Sequence, residues 1–97
     1  MRVRYTEPAA EELEAIISYF MEAAPSVVSD FTDSIDDAVS QLLDNPIWHK
    51  MTIKPGVRRW HLRRFRYSIF FTVERDELVI LHIQHVARRW PWEAMGR

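Results

Sequence analysis

Apolar residues along this chain change their spacing once, near its middle. In the first half, Leu13, Ile16, Ile17 and Phe20 recur at the spacing of one helical face, with Glu11, Glu12 and Glu14 mostly turned to water. The pattern predicts an amphipathic helix over about 7–23, N-capped by Thr6 and tolerant of Pro8 in its first turn. A short alternating stretch, Arg2 to Tyr5, precedes it. Pro25 and Ser26 break this helix and start another, in which Val28, Phe31, Ile35, Ala38 or Val39, and Leu42 keep the same period until Asn45 and Pro46 stop it. So short a connection predicts an antiparallel helical hairpin.

After a loop holding Trp48, Lys54, Pro55 and Gly56, the period becomes two. Val57 to Arg63 alternates, Tyr67 to Glu74 is rich in aromatic and β-branched residues, and Leu78 to Val86 is apolar on both faces in its first half. Glu74 to Glu77 reads as a tight polar turn, making the last two strands a hairpin. Double-sided apolarity places the final strand centrally in its sheet. The expected fold is one α+β domain over residues 1–97, of order β-α-α-β-β-β, with a helical hairpin on one face of a small, twisted, mainly antiparallel sheet. Residues 88–97 read as a terminal turn or a tail.

Charge divides along the same line. From Tyr5 to Trp48 there are ten acidic residues and no Lys or Arg, whereas His49 to Arg97 carries eleven basic residues against four acidic, so the net charge of −1 hides a dipolar molecule. Arg58, Arg59, Arg63, Arg64 and Arg66 interleave with Trp60, His61 and Phe65. Two readings of this run are open: a surface for anions or RNA, or a solvated strand edge guarded by charge. With helices on one sheet face, the cations are expected to gather on the other face and its rims. The chain has no cysteine, which excludes disulfides and thiolate chemistry. No segment approaches the roughly 18 apolar residues of a membrane span, and the N-terminus lacks the apolar core of a secretory signal. A soluble, cytoplasmic protein without cofactor is expected.

Several fragments, in order and over nearly the whole chain, resemble the RelE/ParE superfamily of type II toxin-antitoxin toxins, also called plasmid stabilisation proteins. "YTEPAAEELEAIISYF" resembles the family's opening strand and Ala-x-x-acid-Leu helix, "LLDNPIW" its helix end, and "GVRRWHL" its "gvR" strand. "YSIFFTVERDELVILHIQHVARRWP" resembles its closing hairpin. The resemblance implies a toxin neutralised by a cognate antitoxin in a hetero-oligomer; to cover an apolar, arginine-rich sheet surface, the antitoxin's wrapping segment should be acidic and aliphatic. It also implies one of two activities. ParE-like members poison DNA gyrase, and RelE-like members cut messenger RNA in the ribosomal A site as mRNA interferases; an inactive antitoxin-binding member is a third reading.

RNA cleavage needs a proton acceptor, cations for the charge on phosphorus, and a proton donor for the leaving oxygen. The resemblance implies three nuclease positions: an Arg after the first aromatic of the "YrIfY" strand, an Arg past the last strand, and a Tyr near the C-terminus. Here the first is Ser68, the second is Arg88, and no Tyr follows Tyr67. Incomplete nuclease chemistry slightly favours growth arrest through gyrase. Were the chain a nuclease, Arg88 and His85 are its candidate catalytic pair. His61, His82, Lys50 and Lys54 are conceivable replacements. His82 and His85 should point to opposite faces, which argues against a two-histidine metal site. Arg58, Arg63, Arg64, Arg66, Arg89 and Trp90 are the candidate RNA or target contacts, with Trp60 and Trp92 as further contact aromatics or packing residues.

Overall fold

The computed structural model describes residues 1–44, 50–51, 55–62 and 64–86. Its elements are β1 (Arg2–Tyr5), α1 (Glu7–Ala23), a 3-10 turn (Pro25–Val27), α2 (Val28–Asp44), β2 (Lys50–Met51), β3 (Arg58–His61), β4 (Tyr67–Glu74) and β5 (Glu77–His85). The sheet runs β1-β5-β4-β3-β2, with β1 parallel to β5 and the other pairs antiparallel. The expected order holds, with β2 as an additional two-residue edge strand. No described helix is long and apolar enough to cross a membrane.

Local chemistry accounts for the boundaries. Thr6 is extended, and its hydroxyl accepts from Ala9 N at 3.2 Å, the first-turn cap that Pro8 leaves room for. Ala24 closes α1 by donating to Phe20 O, and Pro25 then opens the 3-10 turn that feeds α2. At the β4–β5 turn, Glu74 pairs with Glu77 and only Arg75 and Asp76 lie between, so Arg75 takes a left-handed φ of 55°.

Phe31, Ile35, Ala38 and Leu42 of α2 meet Ile69, Phe71, Leu78, Ile80 and Ile83 of the sheet in one buried core, flanked by Leu13, Ile16, Ile17 and Phe20 of α1. Ile69 and Phe71 point to the helices, so Ser68 and Phe70 point away. Both are buried nonetheless, as is Val79, and the central strands are therefore covered on both faces.

Register shifts between Phe70 and Phe71, where Leu81 bulges out of the ladder: Phe71 pairs with Ile80, but Phe70 pairs with His82. The bulge moves the inward positions of β5 from Leu78 and Ile80 to Ile83. Both histidines lie beyond it, so His82, opposite Phe70, and His85, opposite Tyr67, do face opposite ways.

β1 stops at Tyr5, opposite Ile80, and leaves the outer edge of β5 unpaired beyond that point. The start of α1 fills the vacancy. Thr6 N donates to Ile80 O and the Thr6 hydroxyl to Leu81 O. Glu12 then accepts from Ile83 N at 2.9 Å, from Gln84 Nε2 at 2.8 Å, and contacts His82 Nδ1 at 3.1 Å. Glu12 is thus not turned to water as the helical pattern suggested; an unpaired strand edge needed an acceptor at that height.

Candidate functional site

The arginine run of the sequence does not make one surface. β3 alternates, placing Arg58 and Trp60 opposite Phe71 and Ile69 on the helical side, and Arg59 and His61 opposite Phe70 and Ser68 on the far side. Trp60 is half-buried and packs against the core, which favours its structural reading. Arg64 turns to α2, donating to Asp30 Oδ2 at 3.0 Å while its guanidinium lies 5.0 Å from the Phe65 ring centre. The expected collection of these cations on the sheet face opposite the helices is therefore corrected: strand alternation and the acidic helix divide them. Arg66 is exposed and forms no ion pair among the described residues. Arg63, Arg88, Arg89, Trp90 and Trp92, with Lys54, lie outside the described residues.

What the fold does assemble is an aromatic end. Phe31, fully buried, has the Phe20, Phe65 and Tyr67 rings 5.2, 5.3 and 5.7 Å from its own. His85 stands edge-on to Tyr67 at 5.3 Å. Tyr19 stacks edge-on to Phe20 yet is 61% exposed. Burial raises the Tyr67 phenol above its usual 10.0, and charge on the Tyr19 phenol raises it further. Tyr19, Phe20, Phe65 and Tyr67, with Arg64, Arg66 and His85, line a cleft of about 490 Å³.

Among the described residues, the bonds from Leu62 N to Tyr67 O and from Val86 N to Arg66 O hold the β3–β4 turn that presents them. Arg66 there adopts φ 57°, a left-handed conformation unusual outside glycine. On the other sheet face, Ser68 is 3% exposed, 3.5 Å from His61 Nδ1 and opposite Gln84. The Gln84 amide donates to Glu12, and its Oε1 is buried without a donor among the described residues. Among the described residues no three His, Asp or Glu side chains converge as a metal site would require.

The sequence profile described as the ParE toxin of type II toxin-antitoxin system, parDE, matches residues 3–90. The chain belongs to the ParE toxin family. A toxin-antitoxin structure, the chromosomal ParDE system of P. aeruginosa, matches at a TM-score of 0.78 and 28% identity, covering 89% of this chain and 96% of that one. An E. coli RelE mutant bound to an antitoxin RelB peptide matches at 0.64 and 13%, covering 98% and 90%. The intact E. coli RelBE complex matches at 0.61 and 14%, covering 90% and 98%. No curated protein sequence matches significantly. At such identities the RelE likeness concerns the fold alone, the two helices against a mixed sheet common to both branches. The ParE-family toxin described here keeps that frame around residues the sequence reading had not singled out, namely Tyr19, Glu12 and the Tyr67 wall. A large ring among the acids of α1 was the available signal for Tyr19; nothing in the linear pattern distinguishes Glu12 from Glu11 or Glu14.

Proposed function

We propose that this toxin arrests growth as ParE-like members do, by acting on DNA gyrase, and that it is held inactive in a hetero-oligomer with a cognate antitoxin. The observation that carries the reading is Ser68. A RelE-like nuclease would place an arginine here to meet the phosphate, but this position holds an uncharged hydroxyl that is buried between His61 and Gln84. Phosphoryl transfer relies on cations placed around the reacting phosphate, and a closed serine supplies none. The match to the ParE toxin profile supports the same reading. The antitoxin partner rests on the toxin-antitoxin complexes among the structural neighbours.

Two reactions with the purified chain test it. Loss of supercoiling by gyrase, with translation untouched, is the expected result. Transcript cuts at codon boundaries with gyrase unaffected would replace this reading by the mRNA interferase, with Arg88 and His85 then the residues to substitute. Silence in both assays would leave an inactive antitoxin-binding member.

A further inference from the structure

Tyr19, Phe20, Phe65 and Tyr67 wall the cleft beside the β3–β4 turn. A second cleft of about 240 Å³ shares Tyr19, Tyr67 and His85 and continues along α1 to Glu12. The two make one trough. From Glu12 to Tyr19 is seven helical positions, about 10 Å at 1.5 Å each, which suits an extended occupant better than a compact one.

Its walls are rigid and its ends differ in charge. Phe65 and Tyr67 pack edge-on and Phe20 tilted against buried Phe31, so these three rings have little side-chain freedom left to lose when something binds. Tyr19, exposed on the helix surface, is the amphipathic ring that binding surfaces favour. At the turn end, Arg66 projects unpaired among the described residues, and its left-handed backbone is clamped by Val86 N. Arg64 beside it already has Asp30. At the other end stands Glu12, its oxygens already taken by Ile83, Gln84 and His82.

That distribution decides between two kinds of polymer. A nucleic acid could stack its bases on the rings, but along the described residues of the trough its repeating phosphates would meet one unpaired guanidinium and then a carboxylate. A peptide with an apolar side chain in the middle and a carboxylate at one end matches both features. Resting on the proposed toxin-antitoxin reading, we infer that the antitoxin's wrapping segment anchors in this trough. An aliphatic or aromatic side chain sits among Tyr19, Phe65 and Tyr67, and an Asp or Glu sits on Arg66. The segment's acidic end therefore lies at the β3–β4 turn, and the far face of β3, which carries Arg59, is not its main seat.

The chain is co-expressed with the product of the reading frame adjoining its gene, and affinities are measured for the purified partners. Tyr19→Ala and Arg66→Glu, both exposed and checked for folding by circular dichroism, should each weaken the complex at least tenfold. Arg59→Ala, on the far face of β3, should stay within threefold. An Asp or Glu to Arg reversal in the antitoxin should restore binding to Arg66→Glu. Wild-type affinity of both trough variants, with the unaltered complex forming normally, overturns the inference and leaves the proposed function standing. Failure of the unaltered chain to form any complex overturns that function and the inference with it. Trough variants that lose an RNA oligonucleotide yet keep the antitoxin overturn the choice of peptide.

Discussion

Replacing Glu12 by alanine is expected to remove about 2–4 kcal/mol of folding stability. The carboxylate stands where a longer β1 would have supplied a carbonyl. Its loss strands the Ile83 amide and the Gln84 Nε2, bonded now at 2.9 and 2.8 Å, and ends the 3.1 Å contact with His82. A fully buried donor without an acceptor costs about 1–3 kcal/mol. The Glu12 and His82 side chains keep 20% and 26% of their exposure, so water recovers part of this, and about 1–2 kcal/mol per stranded donor is the fitting figure. For a domain of this size the loss lowers Tm by about 10–20 °C. Glu12→Gln, which keeps one acceptor for Ile83 but turns an amide donor toward Gln84 or His82, should fall between. Urea denaturation gives the free energies, and hydrogen exchange at the Ile83 amide locates the effect. A loss below about 0.5 kcal/mol, the scale of an ordinary surface change, with the Ile83 amide still protected, would refute the idea that Glu12 completes the β5 edge.

Phe31→Ala, at the hub of the aromatic end and fully buried, should destabilise by about 3–5 kcal/mol in the same denaturation assay. Arg75→Gly relieves a left-handed residue in a two-residue turn, and thermal unfolding should show a gain of about 0.5–1 kcal/mol. Asp30→Ala breaks only an exposed pair with Arg64, so a change under about 1 kcal/mol that shrinks with added salt is expected. Burial, then the Asp36 charge, raises the Tyr5 phenol, and burial, then Tyr19, raises that of Tyr67. The unfolded chain therefore loses these protons first on the alkaline side, and the stability they carry, complete below the ordinary 10.0, should decline as pH rises through the folded values. Absorbance titration of Tyr5→Phe and Tyr67→Phe should remove the late-ionising phenols; early titration of Tyr5 and Tyr67 in the folded protein would contradict the burial argument.

Much of the frame was legible because it rests on short-range rules. Thr6 and Pro8 began α1 where capping demands, Pro25 divided the helices, and the Glu74–Glu77 turn set the length of β4. The candidate site was less legible. Arg58 and Arg59 are neighbours in the chain, yet alternation sends them to opposite faces, and Arg64 is drawn off by an aspartate 34 residues away. Ser68 stands in the sequence where the nuclease pattern has an arginine, but its burial follows from what covers the sheet and not from the strand's own residues.

By itself, then, the order of residues determined the helices, the strands, the interior place of β5, paired on both edges by β1 and β4, and the acidic and basic halves, since periodicity and turn chemistry act over a few positions. Only the tertiary structure decided where β1 runs out, which bulge moves the inward positions of β5 to Ile83, why Glu12 alone among its neighbours must leave the water, and which rings converge with Arg66. Each depends on contacts between segments tens of residues apart, and whether a given N–H, carboxylate or guanidinium finds a partner is known only once those segments meet.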